Sequence, residues 1–355
     1  MALKNWLSVG RRLLGSAPSY LIFQVTSRCN SRCLTCFNWK QLERPGSSDL
    51  SLDEIERVSL RYGPLLQLTL GGGEPFLRDD IADICLLFQK NNGVQHVTIP
   101  TNATLPEKIE RGVGRMLSEN SLNYLRIGLS LDGIGGEHDR LRGVEGNFEK
   151  LLETYQRLCS MKKRYRNFGI EISSVLSAYN QDTLCVTIDT VRDLFPEADK
   201  HAVVLVRGDA RDPATKNVSA ETYRRTMDHL KQGAEAPGAN IIARGFKAVF
   251  DLNTEIIYHQ MTTGKFPVPC VAGSRLIVIT PEGTVYPCEE ISESMGSLRE
   301  SDYDIQRILA SDRAQTIKKH IRRSRCSCTF ECAVHASLIF NWTQYPKILY
   351  RMCTQ

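Results

Sequence analysis

No apolar run in the 355-residue chain approaches the roughly 20 residues that a membrane-spanning helix needs. Charge of one sign is also scarce: 45 Lys and Arg stand against 40 Asp and Glu, a net charge of +5. So small an excess gives no reason to expect nucleic acid as a partner. The N-terminus, Met1 to Leu7 followed by Arg11-Arg12, shows neither a long apolar stretch nor a clean cleavage site. No secretion signal is read there, and a cytoplasmic location is expected. Internal repeats and low-complexity tracts are absent as well.

What is present is an ordinary globular composition, 42% hydrophobic and 24% charged, which excludes a disordered or fibrous chain. At about 150 residues per domain the length suggests two. Twelve cysteines are the unusual number. A chain this long buries enough core to need no disulfide framework. In a reducing compartment, cysteines in such number point to metal binding, with a few left over as core residues.

Residues 1–18 read as an amphipathic segment. Trp6, Leu7, Val9, Leu13 and Leu14 face one way with Lys4, Arg11 and Arg12 between them, which predicts a helix packed on the rim of the fold rather than on a membrane surface. From residue 19 strands and helices alternate. The expected strands are Tyr20 to Val25, Leu66 to Leu70, Val94 to Pro100, Leu125 to Leu131, Gly169 to Leu176 and Ala202 to Val206. The helices between them are Leu52 to Tyr62, Ile81 to Asn91, Ile109 to Ser118, Phe148 to Arg164 and Thr183 to Phe195. The first is opened by Ser51 and Glu54 as a capping box. This alternation over residues 19–208 predicts an α/β fold with a parallel sheet, open or curled into a partial barrel. Ligand chemistry then belongs at the carboxyl ends of the strands. Residues 209–265 read as linker and helices, with Ala220 to Gln232 helical and Ala234 to Asn240 a loop. Residues 266–355 read as a smaller cysteine-rich α+β domain.

Directly after the first strand come Cys29, Cys33 and Cys36 in the spacing C-x3-C-x2-C. One loop can wrap such thiolates around a single metal centre, and thiolates select zinc, copper(I) or iron–sulfur clusters. A structural zinc site wants four closed ligands, and the next cysteine, Cys85, falls on an expected helix at an apolar position. Three thiolates on a four-iron cluster leave one iron open to substrate or cofactor.

This arrangement resembles the radical S-adenosylmethionine (radical SAM) superfamily. The resemblance implies a partial (β/α)6 TIM-like barrel, with Cys29, Cys33 and Cys36 as ligands of a [4Fe–4S] cluster. Its open iron would chelate S-adenosylmethionine, and reductive cleavage would release a 5′-deoxyadenosyl radical that abstracts hydrogen from substrate. Thr35 departs from the aromatic residue usual before the third cysteine. The second strand ends in Gly71-Gly72-Gly73-Glu74-Pro75, similar to the family's GGEP signature. There the glycines bring backbone close to the ligand, and Glu74 is expected to help hold the cofactor's ammonium group. Thr101-Asn102 closes the third strand, and Ser130-Leu131-Asp132-Gly133 closes the fourth, with Arg142 shortly after. By the same resemblance Asn102 belongs to the cofactor site, Ser130 and Arg142 bind the cofactor carboxylate, and Asp132 faces substrate.

A second set of cysteines lies near the C-terminus. Cys270 and Cys288 flank Gly283 in the spacing C-x12-G-x4-C, with Pro281-Glu282-Gly283-Thr284 as a hairpin turn. Cys326, Cys328 and Cys332 follow an expected helix from Ile305 to Arg322. Hairpin, helix and cysteine loop make a module whose core is thin without a metal. It is similar to the SPASM and twitch extensions of radical SAM enzymes, although C-x-C-x3-C departs from the full SPASM pattern. The resemblance implies one auxiliary [4Fe–4S] cluster on Cys270, Cys288 and two of Cys326, Cys328 and Cys332. Which two, and whether Cys353 takes part, stays open.

Cys85, Cys159 and Cys185 are expected as small core residues. The basic run from Lys318 to Arg325 reads as a solvated face or as a docking site for an acidic electron donor of flavodoxin or ferredoxin type. The few residues before the first strand leave no room for a winged-helix peptide-recognition domain or a cobalamin domain. The substrate is therefore expected to be a small molecule, a sugar, or a peptide held without such a domain. The competing reading is a non-catalytic zinc-binding scaffold or adaptor with a basic C-terminal helix.

Overall fold

The computed structural model describes residues 9–10, 12–13, 15, 17–43, 48–119, 122–232, 241–323, 326 and 328–354. Lys4, Trp6, Leu7, Arg11 and Leu14 of the expected amphipathic segment lie outside the described residues, as do residues 234–240 and Ser324 and Arg325 of the basic run.

Six strands follow one another across a parallel sheet: β1 (Tyr20–Thr26), β2 (Gln67–Gly72), β3 (His96–Thr101), β4 (Leu125–Ser130), β5 (Phe168–Leu176) and β6 (Lys200–Leu205). Between them run α1 (Leu52–Tyr62), α2 (Ile81–Asn92), α3 (Pro106–Ser118), α4 (Gly136–Arg142), α5 (Asn147–Arg164) and α6 (Leu184–Leu194). The capping box is present at α1: the Glu54 N–H donates to Ser51 Oγ, and the Ser51 N–H donates to the Glu54 carboxylate. All of β1 is buried, as a strand covered on both faces requires. In β2 to β5 one alternate set, including Leu68, Leu70, Val97, Ile99, Ile127 and Ile172, is fully buried in the core that the helices share. Burying each such side chain contributes about 1.5–3 kcal/mol. The other set is more open and largely polar: Thr69, Thr98, Arg126, Ser130, Glu171 and Ser173. Because side chains alternate across a strand, these line the concave face. There Arg126 meets Glu171 at 3.3 Å.

The cysteine-rich C-terminal region adds its strands to the edge of the same sheet. Strand β7 (Leu276–Ile279) pairs in parallel with β1, and β8 (Thr284–Tyr286) and β9 (Gly296–Ser297) continue the same sheet antiparallel. The result is one nine-stranded sheet in the order β6-β5-β4-β3-β2-β1-β7-β8-β9. The physical reason is legible in β7, whose four consecutive apolar residues are all buried. A strand with one wet face would alternate. Residues 209–265 are mostly helical, with α7 (Ala220–Gln232) and the 23-residue α8 (Ile241–Thr263). The helix expected from Ile305 to Arg322 is two, α9 (Ile305–Ala310) and α10 (Asp312–Arg323). Ser311 separates them in extended conformation, and its hydroxyl accepts from the Ala314 N–H at the start of the second.

Two further helices, α11 (Glu331–Ile339) and α12 (Tyr345–Thr354), end the chain. Helix α11 bridges the open side of the half-barrel, between its first and sixth strands. The Leu205 N–H donates to Glu331 Oε1 at 2.7 Å, while Cys332 shares a side-chain hydrogen bond with Tyr20 of β1. Three residues along, His335 is partly buried, and burial first, then the nearby charges of Lys200 and Arg126, lower its pKa to about 4. Among the described residues no helix is long and apolar enough to cross a membrane.

Candidate metal centre and cofactor site

The loop after β1 is built by hydrogen bonds from four directions. Asp49 holds its start, accepting from Thr26 Oγ1 at 2.7 Å and from Ser27 Oγ at 2.8 Å. Further on, the Arg32 and Leu34 N–H groups donate to the carbonyls of Arg142 and Leu141 at the end of α4, both at 3.0 Å. On the opposite side the Arg211 and Asp212 N–H groups donate to the carbonyls of Cys36 and Leu34. From β3, Asn102 Nδ2 donates to Asn30 Oδ1 at 2.7 Å and to Ser31 Oγ at 2.8 Å. The Cys36 N–H turns back to the Cys33 carbonyl at 3.2 Å, and the Ser31 N–H points at Cys29 Sγ at 3.4 Å.

Cys29, Cys33 and Cys36 lie near enough for a charge on one to act on another. Burial raises all three thiol pKa values, and a charge on Cys33 would raise those of Cys29 and Cys36 further, the latter to about 11. The buried Arg142 guanidinium opposes this at all three. Among the described residues no three His, Cys, Asp or Glu side chains converge closely enough to hold a single metal ion. A zinc ion needs each sulfur at about 2.3 Å, whereas a cubane offers a separate iron to each thiolate. The donor set and its cationic neighbour therefore fit a thiolate-bound cluster.

The glycine run is explained by contact with this loop. A Cβ on Gly73 would lie 2.0 Å from the Arg28 carbonyl oxygen. Gly72, at φ +110°, would place one 2.6 Å from the Thr26 oxygen. Backbone bonds seal the approach, with the Gly73 N–H donating to Thr26 O at 2.8 Å and Glu74 N–H to Arg28 O at 2.9 Å. Gly71, by contrast, would meet only Pro100 Cγ at 3.8 Å.

The polar residues expected around the cofactor sit as follows. Glu74 is buried, and both carboxylate oxygens are engaged: Oε1 accepts from Phe76 N–H and Thr101 Oγ1, and Oε2 from Asn102 N–H at 2.7 Å. It braces the strand tips. Asn102 is likewise spent on the cysteine loop. Asp132, expected to face substrate, accepts from Val175 N–H at 2.7 Å and pairs with Arg142 at 3.1 Å. Arg142 is the group that faces the thiols, and its Nε has no hydrogen-bond partner. Ser130 ends β4 on the concave face. Sequence reading missed Asp49 and Asn30, whose roles depend on contacts across the chain.

In the second set, the thiol neighbours that act most strongly on Cys328 are Cys270, Cys288 and Cys326. Cys288, pushed up to about 12 mainly by burial, also feels Cys270 and Cys326. Cys332 answers to other groups. Burial raises it to about 11, with Arg207, Glu289 and the Tyr20 hydroxyl next in effect. Cys85 is fully buried in the core and Cys159 packs against it, but Cys185 is only half-buried and Cys353 is exposed.

Comparison with known proteins matches both regions. A family model described as the radical SAM superfamily covers residues 23–170, and the SPASM model, described as an iron–sulfur cluster-binding domain, covers residues 270–333. The chain is 26% identical over 311 residues to the AdoMet-dependent heme synthase of Methanosarcina barkeri, spanning 81% of each protein. It is 25% identical over 332 residues to the subtilosin biosynthesis protein AlbA of Bacillus subtilis, spanning 89% of this chain and 66% of that one. Its fold is similar to that of Streptococcus suis SuiB bound to S-adenosylmethionine, with a TM-score of 0.62 at 16% identity over 89% of this chain and 71% of that one. It is also similar to anSMEcpe with bound AdoMet, with a TM-score of 0.59 at 16% identity over 95% and 98%.

Proposed function

Because a radical SAM domain is followed here by a SPASM domain, the chain belongs to the radical SAM superfamily, and we propose that it is an oxidoreductase-type enzyme acting on a polar substrate bound in the half-barrel. A [4Fe–4S] cluster, auxiliary cluster chemistry and S-adenosylmethionine come with these domains. Cys29, Cys33 and Cys36 would hold the first cluster, and Cys270, Cys288, Cys326 and Cys328 one auxiliary cluster. The chemistry supplied there is one-electron reductive cleavage of S-adenosylmethionine to a 5′-deoxyadenosyl radical, which abstracts hydrogen from substrate.

The observation that carries this reading is the set of three electrostatically coupled thiols that feel Arg142, in a loop that donates no fourth cysteine. Arg142, held by Asp132, is a buried cation that the thiols feel, and it suits a cofactor carboxylate. The tip of β2, where Glu74 ties it to the tip of β3, carries the glycine backbone next to the cysteine loop. Helix α11 reaches across the half-barrel from Leu205 to Tyr20, a position that would help to keep bulk water from the concave face, as radical chemistry requires. The Ser130 and Ser173 hydroxyls on that face suit a sugar, a polar small molecule or a peptide backbone better than an apolar ligand. The basic side of α10, with Lys318, Lys319, Arg322 and Arg323, suits an acidic electron donor of flavodoxin or ferredoxin type, in a cytoplasmic setting.

Oxygen-free purification tests the reading. A brown protein with about eight irons per chain is expected for two four-iron clusters, and dithionite should drive deoxyadenosine formation from S-adenosylmethionine. Cys33→Ala should abolish that product. A colourless protein with stoichiometric zinc would overturn the proposal.

A further inference from the structure

Arg207 follows β6 and is the residue on which three cysteine-bearing segments meet. Its guanidinium lies over the ring of Phe37, next to Cys36, at 4.7 Å from the centroid. On its other side is the ring of Phe330, between Cys328 and Cys332, at 4.5 Å. Nη2 donates to Glu289, next to Cys288, at 2.8 Å, and Nη1 lies 3.7 Å from Glu331. The neighbouring residue records how tight the seat is. Gly208 adopts φ +64°, and a Cβ there would come 2.9 Å from Cβ of Phe37. The other charges facing the group are Glu290, which feels Arg207, and Lys216, whose ammonium donates to the Gly208 carbonyl at 2.8 Å.

We propose that Arg207 is a positioning residue that locks the two cysteine sets to each other and supplies the buried positive charge that biases the auxiliary cluster toward its reduced state. The proposal rests on reading the second set as a cluster site. Two properties of arginine are used together. The planar, delocalised cation stacks between two rings, which a lysine ammonium does less well. Its charge, held in a low-dielectric gap, favours the added negative charge of a reduced cluster and so raises the potential. Glu289 opposes this from the other side of the ion pair.

The test is a potentiometric titration followed by electron paramagnetic resonance on the full chain, loaded with both clusters. Arg207→Gln should shift the auxiliary potential to more negative values, and Glu289→Gln should shift it to more positive ones. Arg207→Lys should keep the potential near that of the wild type while lowering the thermal midpoint, because charge remains and stacking is lost. Potentials unmoved in both Gln variants, or moved in the same direction, would overturn the proposal. Should Arg207→Gln fail to retain its iron, Glu289→Gln decides alone, and an unmoved or lowered potential counts against Arg207. A wild-type chain carrying only about four irons would instead remove the auxiliary cluster itself, and the proposal with it.

Discussion

Arg142 and Asp132 meet at 3.1 Å, with side-chain exposures of 11% and 3%, and the cation of this buried pair is the one that the three thiols of the first set feel. Removing one member of such a pair leaves the other charged and buried. Arg142→Met should therefore destabilise the apo-protein by about 3–5 kcal/mol in urea unfolding. The double variant Arg142→Met/Asp132→Leu should recover a large part of that loss. A double variant as unstable as the single one would show that the pair is not the cause.

The glycine run supplies a second contrast. Gly73→Ala drives a Cβ into the Arg28 carbonyl, so the cysteine loop must move, and the first cluster should be lost or loaded at a small fraction of the wild-type iron. Gly71→Ala meets only ordinary van der Waals contact with Pro100 and should load normally. Iron content of the two variants, reconstituted side by side, checks this. Equal loading would mean that the loop yields to Gly73→Ala without consequence for its thiols.

The first cysteine loop and the β–α alternation were legible from sequence because both are local. Spacing within eight residues brings Cys29, Cys33 and Cys36 together, and capping at Ser51 is settled within one helical turn. Roles that depend on distant partners were not legible. Asp132 sits where a substrate-facing residue is expected at the end of a strand, but Arg142 and the Val175 N–H occupy its oxygens. Glu74 turns inward because two backbone N–H groups and the Thr101 hydroxyl at the strand tips converge on it. Helix α11 was missed because it is short and nearly without an amphipathic stripe, as suits a segment packed between the two margins of a half-barrel. The attachment of β7 to β1 is a contact across more than 250 residues, and only its unbroken apolar run hinted at it.

The five cysteines of the second set are not equivalent. Cys328→Ala should cost about four irons per chain, since it removes a thiol that faces Cys270, Cys288 and Cys326. Cys332→Ala removes a thiol whose strongest neighbours are Arg207, Glu289 and Tyr20, and should leave the iron count at that of the wild type. Loss of iron from both variants would bring Cys332 into the ligand set.

Glu54 joins the barrel to its extension. Its carboxylate accepts from Arg299 Nε at 2.7 Å and Nη2 at 3.0 Å, from the Tyr303 hydroxyl at 2.7 Å and from the Ser51 N–H. The Arg299 fork is the main cause that holds its pKa down to about 2, against partial burial, which acts the other way. In the unfolded chain the group returns to about 4.3. Between these values the unfolded state binds the proton and the folded state does not. The contribution to stability is therefore complete above about pH 4.3 and drains away as the pH falls toward 2. Unfolding midpoints at about pH 5 and about pH 3 should drop more steeply in the wild type than in Glu54→Gln, which carries no titrating group at this joint. Arg299→Met should also flatten the dependence, because without the fork the folded pKa moves back toward its unfolded value. Parallel pH profiles for wild type and Glu54→Gln would place the acid sensitivity of the fold elsewhere.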